Sequence, residues 1–308
     1  MQGMYGRNKI TDEIKLSFKE GSYLTKLIYI NLGVFIFLGL NYVIVKFTGG
    51  SAASPFYLGN WVVLPSYLPE LLLKPWTIIT YMFVHEVIYS GGFLHILFNL
   101  LVLYWFGKIF LMYLDQKKLL SIYLLGGISG ALLYIAAYNL VPVFAGEVMA
   151  SNNRGASAAV MAIVFAISFY RPDFEVFLLF FGRVKLKYIA IAYIVIDVIS
   201  MAGSNAGGHI AHLGGALYGY YFITQYKKGK TVMKWFDNLL DGLFTIFKPR
   251  KKNINISYKR PPADDMEYNA QKVAKQDEIN IILDKISKHG YDSLSKREKE
   301  ILFKEGQR

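Results

Sequence analysis

The chain has 308 residues, 54% hydrophobic and 16% aromatic, with a formal net charge of +12 and a mean hydropathy of +0.32. This is too apolar for an ordinary soluble domain, and basic loops of a membrane protein explain the charge better than nucleic acid, which is not expected as a partner. The absence of cysteine excludes disulfides, thiol catalysis and Cys-ligated metals.

Residues 1–23 are polar and mixed in charge, without the early apolar stretch of a cleavable signal. They read as a cytoplasmic N-terminal segment. Six apolar runs follow: Leu27–Val45, about Phe93–Leu114, Leu119–Val141, Ser157–Tyr170, about Leu186–Ala202 and about Ala206–Ile223. Each predicts a transmembrane helix. The expected fold is therefore an all-α membrane protein, a bundle of six spans over residues 24–226.

Basic residues give the orientation. Arg7, Lys9, Lys15, Lys19 and Lys26 precede the first run. Lys108, Lys117 and Lys118 lie between the second and third, and Arg171, Arg183, Lys185 and Lys187 between the fourth and fifth. The chain after the sixth is densely basic, while the alternate loops hold few cations. All four basic sides fall on one face, so both termini are expected in the cytoplasm.

The loop from about Lys46 to Gly92 is rich in aromatics, Leu and Pro. It is too apolar for a solvated loop and too broken for a span, so it is expected to lie in the outer interface. Beyond the bundle, residues 227–270 read as a basic amphipathic helix and a linker. Val232, Phe236, Leu239, Leu240, Leu243 and Phe247 form one stripe, suited either to anionic lipid or to packing on the protein itself. Residues 271–308 predict a small cytoplasmic helical hairpin. Ile279, Ile282, Leu283 and Ile286 stripe its first helix, Gly290 stops it, and Ser295–Glu298 forms a capping box for the second.

Polar groups inside the runs are costly and point to function. His95 and Asn99 are four apart in the second run and share a helix face; both can donate hydrogen bonds, to a ligand or between helices. The fourth run spans about 14 residues, or about 21 Å of rise against a hydrocarbon core of about 30 Å. If Arg171 marks the cytoplasmic side, Ser157 opens the helix roughly 10 Å below the outer surface. Irregular backbone at that depth must be buried in protein or line a watery cavity. Gly155 frees that backbone, and Ser157 sits at a helix N-terminus, where a serine often serves only as a cap. In the sixth run His212, Gly215 and Gly219 line one face, where glycines admit a close neighbour. Ala158, Ala159, Ala162 and Ala166 of the fourth run offer the complementary small residues, which would bring the imidazole beside the Ser157 hydroxyl. Together the clusters offer a nucleophile, a base and oxyanion donors.

In these motifs the chain resembles the rhomboid intramembrane serine proteases, of the bacterial six-helix type with a C-terminal cytoplasmic extension. The likeness runs over roughly residues 24–226. It is carried by PWTIITYMFVHEVIYSGGFLHILFNLLVLYWFG, by GAS at 155–157 and by AHLGGALYG at 211–219. The resemblance implies a serine–histidine dyad without an acidic third member: Ser157 as nucleophile and His212 as base. It also implies that His95, Asn99 and the Ser157 N–H bind the oxyanion, with Gly155, Gly215 and Gly219 as supports and no cofactor or metal. It departs from the family at Ala158, where glycine is usual; a modest geometric effect is expected. His209 is a weaker rival to His212 and reads as a mouth-lining residue. His85 is expected to brace the approach to the second run. Asp197 could gate or give a supporting hydrogen bond, but with no partner visible in the sequence it reads as a satisfied structural acid. The implied activity is cleavage of transmembrane or juxtamembrane segments of membrane proteins, in a bacterial cell membrane, with a cytoplasmic partner for the tail also allowed. A catalytically silent rhomboid-like protein that binds spans is the alternative. A transporter would more typically show broken helices in repeated halves, which are not found.

Overall fold

A computed structural model describes residues 21–87, 92–178, 181–203, 205–230, 234–247 and 265–306. Arg7, Lys9, Lys15, Lys19, Val232 and most of the expected linker lie outside the described residues. The chain divides into two compact units, one through residue 247 and the other from 248 to 308.

Each of the six apolar runs is helical. They are α1 (Tyr23–Phe47), α4 (Gly92–Leu111), α5 (Gln116–Leu140), α6 (Ser157–Tyr170), α7 (Leu186–Ser200) and α8 (Ala206–Lys227). Two short helices, α2 (Leu68–Leu73) and α3 (Thr77–Thr80), lie in the loop after α1. Among the described residues α1, α4 and α5 are long and apolar enough to cross a membrane; α6 is a shorter apolar helix of 14 residues. Side chains define several ends. The Ser22 hydroxyl accepts from the Thr25 N–H, and the Asp115 carboxylate from the Lys118 N–H at 2.9 Å. Arg171 closes α6, and Pro172 cannot continue it.

The core is centred on α6, whose residues Ala158 to Ser168 are all buried, packed between α5 and α8. The outside is apolar as well: Ile36, Phe37 and Leu40 of α1, and Ile191, Val195 and Ile199 of α7, are exposed. A surface of this kind belongs against hydrocarbon rather than water. Some buried polar groups are linked to one another across the bundle. Asn31 donates to the Leu27 carbonyl at 2.8 Å and to the Tyr123 hydroxyl at 3.1 Å, and Tyr123 donates to the Met82 carbonyl at 3.0 Å.

The loop after α1 is tied to the segment that precedes α6. β1 (Leu64–Pro65) pairs antiparallel with β2 (Asn152–Asn153), Leu64 opposite Asn153. The Ser66 hydroxyl donates to the Val148 carbonyl at 2.7 Å, and Asn139 donates to the Ser66 carbonyl at 2.8 Å. Phe56, Leu72 and Leu73 remain exposed on this loop. A hairpin not expected from the sequence, β3 (Glu175–Leu178) with β4 (Gly182–Lys185), joins α6 to α7.

Helix α9 (Lys234–Phe247) docks on the start of α5. Asp237 accepts from the Ser121 hydroxyl at 2.6 Å, and Asp241 pairs with Lys117 at 2.8 Å. Of the two readings of this stripe, packing on the protein is thus realised for its first turns, with Phe236 buried while Leu239 stays half exposed. The second unit contains α10 (Asp265–His289) and α11 (Lys296–Gly306). Gly290, at φ +76°, ends α10 in a conformation that suits glycine. The Ser295 N–H donates to Glu298 at 2.6 Å and the Glu298 N–H to the Ser295 hydroxyl at 3.4 Å, a reciprocal capping box.

Candidate active site

Ser157 is the first residue of α6, and the cap position is held by Ala156 without a side-chain hydrogen bond. The serine is therefore not a cap. Its neighbours Gly155, Ala156, Ala158 and Ala159 are buried, whereas Ser157 is partly open to a cleft. Gly155 sets this geometry. Its φ is +131°, and its N–H donates to the Tyr81 carbonyl at 3.0 Å. A Cβ there would lie 3.2 Å from Nε2 of His95 and 3.5 Å from Oγ of Ser157, so both conformation and space call for glycine.

The cleft has a volume of about 510 Å³, and its walls include His95 and Asn99 of α4, Ser157 of α6 and His212 of α8. All come from the N-terminal parts of their helices. The close approach of α6 and α8 makes this possible: a Cβ on Gly215 would lie 1.9 Å from the Ala158 carbonyl oxygen, and one on Gly219 would lie 2.2 Å from that of Ala162. The Ala158 methyl is accommodated by a third glycine, since a Cβ on Gly130 of α5 would fall 2.6 Å from it. The extra carbon at this position is thus matched by a missing one on the facing helix.

Asn99 spends one amide hydrogen on the His95 carbonyl, at 2.8 Å, which leaves the second as a donor. His85 is buried against the His95 ring, with centroids 5.3 Å apart. Burial, with His95 beside it, lowers the pKa of His85 to about 3, so it stays neutral. Asp197, read from the sequence as a satisfied acid whose partner could not be named, has two histidines beside it. Its Oδ1 lies 2.9 Å from Nδ1 of His212 and 2.7 Å from Nδ1 of His209. The carboxylate thus stands beside the histidine of the implied dyad. His209 is not among the residues lining the cleft; its ring stands edge-on to that of His212 at 5.5 Å.

Residues 73–228 match the model of the rhomboid domain. The chain belongs to the rhomboid family. With three helices among the described residues long and apolar enough to cross a bilayer, this rhomboid is an integral membrane protein. RHOMBOID-like protein 12, mitochondrial, of Arabidopsis thaliana is 31% identical over 146 residues, 44% of this chain and 43% of that protein. The chain therefore spans less than half the length of this relative. Residues 264–304 match a second family, DUF6576, of unknown function.

Two features of the rhomboid's cleft were missed from sequence. One is the Asp197 bridge. The other is an ion pair at 3.0 Å between Arg154, just before Gly155, and Glu86 of the loop after α3. Both residues line the cleft, so the pair staples the loop to the backbone that presents Ser157. Only the facts that Arg154 adjoins the GAS motif and Glu86 follows His85 hinted at it.

Proposed function

We propose that this rhomboid is an intramembrane serine endopeptidase. The observation that carries the reading is the single cleft that gathers Ser157, His212, His95 and Asn99 from three helices. In the proposed reaction Oγ of Ser157 attacks the scissile carbonyl carbon while Nε2 of His212 takes its proton. The oxyanion is held by His95, the second amide hydrogen of Asn99 and the Ser157 N–H, one of the unpaired donors of a helix start. His212 then gives the proton to the leaving amine, and water hydrolyses the acyl-enzyme. The reaction calls for no cofactor.

The substrates are transmembrane or juxtamembrane segments of other membrane proteins. Stretches with small or helix-weakening residues are preferred, because an intact helix hides its carbonyls in its own hydrogen bonds. In this reading α1, α4, α5, α6, α7 and α8 are the six spans. The exposed apolar side chains of the loop with α2 and α3 rest in the outer interface, and the basic loops keep both termini in the cytoplasm of a bacterial cell. The test compares wild type with Ser157→Ala and His212→Ala on a panel of transmembrane peptides in detergent and liposomes. Cleavage by wild type, lost equally in both variants because the pair acts as one unit, supports the protease. Peptide binding without cleavage by any of them replaces it with the silent binding protein.

A further inference from the structure

Asp197 lies near the end of α7, a helix that otherwise presents an apolar outer face, and its side chain is 7% exposed. A carboxylate buried in this way must be compensated. Both compensating groups are imidazoles, and both reach the same oxygen through Nδ1, at 2.7 and 2.9 Å. An ionised carboxylate only accepts hydrogen bonds, so each ring carries a proton on Nδ1. For His212 this leaves the Nε2 lone pair free in the ring that lines the cleft with Ser157.

On the proteolytic reading above, we infer that Asp197 is the positioning residue of His212. It fixes the tautomer in which Nε2 is the base, holds the ring's rotation, and faces the imidazolium once the serine proton has moved to Nε2. The Nδ1 proton stays on His212 throughout. His209 supplies the second hydrogen bond, which holds Oδ1 in place from the side away from the cleft. The carboxylate acts through the imidazole, touches no substrate, and comes from a helix that carries neither the nucleophile nor the base. The other titratable or charged groups around the cleft are His95, Tyr193, Glu86 and Arg154, and none of them is hydrogen-bonded to His212 among the described residues.

The test uses the full chain. Asp197→Asn keeps the size of the side chain but can donate as well as accept, so it permits the wrong tautomer. The expected result is a fall in kcat of at least about tenfold, towards the ~10⁴-fold loss of soluble triads. KM should stay unchanged, and the acidic limb of the kcat–pH profile should move because a charge beside the base is gone. Asp197→Glu should recover part of the rate. A second readout needs no activity: ¹⁵N spectra of the histidines in wild type, assigned by single substitutions, should show His212 protonated on Nδ1. An Asn variant with wild-type kcat and pH profile overturns the inference, as does an Nε2-protonated His212. If wild type cleaves nothing, the protease reading falls, and the tautomer alone then decides whether Asp197 orients the ring.

Discussion

Replacing Gly215 by Ala puts one carbon into the tightest contact between α6 and α8. The new Cβ would sit 1.9 Å from the Ala158 carbonyl oxygen and 3.2 Å from its Cα. Ordinary contact begins near 3.4 Å, so the helices must part by roughly 1.5 Å at this level. Neither neighbour can yield by a rotamer change, because the obstacle is backbone. Overpacking of this kind costs about 1–3 kcal/mol. On the proteolytic reading the functional cost is larger, because Ser157 directly precedes Ala158 and His212 lies one turn before Gly215. A displacement of about 1 Å between reacting groups is worth about 10²-fold in rate. The assay is kcat on a transmembrane peptide together with the thermal midpoint, with Gly33→Ala as control, since a Cβ there meets nothing within 4 Å. A Gly215→Ala protein with wild-type rate and midpoint would refute the close packing and the site built on it.

His95→Ala and Asn99→Ala are each expected to weaken turnover without abolishing it, because one oxyanion donor is worth about 2.7–4 kcal/mol in soluble serine proteases and others remain; unchanged rates in both would leave them as links between helices. His209→Ala should keep substantial activity where His212→Ala loses it, as measured by peptide cleavage. A chain ending at Phe247 keeps the α9 contacts with Ser121 and Lys117 and should retain its rate within about tenfold, or 1.4 kcal/mol in barrier; a greater loss would couple the tail to the cleft. In the α10–α11 unit, the Ser295 N–H and hydroxyl and the Lys285 ammonium lower the pKa of Glu298 to about 2. Because that folded value lies below the ordinary one, the stabilisation is complete above about pH 4.3 and is lost as the pH falls through about 2. Amide shifts of Ser295 and Glu298 should follow that titration, and Glu298→Gln should abolish it.

Features set by neighbours along the chain were legible in the sequence. The six apolar runs became helices because a segment shielded from water must satisfy its own backbone hydrogen bonds, and α6 begins at Ser157 and ends at Tyr170 because Gly155 and Pro172 bound it. The Ser295–Glu298 box and the Gly290 stop depend on three or four residues each and could be read directly. The spacing of His212, Gly215 and Gly219 likewise assigned all three to one helix face. Spacing says nothing, however, about how one helix is rotated towards another. Asp197 therefore appeared partnerless until α7 was set beside α8, and Arg154 and Glu86, 68 residues apart, met only through the folded loop. The β3–β4 hairpin and the docking of α9 on α5 were hidden for the same reason. They rest on pairs of residues whose separation in the chain carries no period, and only packing of the whole bundle brings those pairs within hydrogen-bond reach.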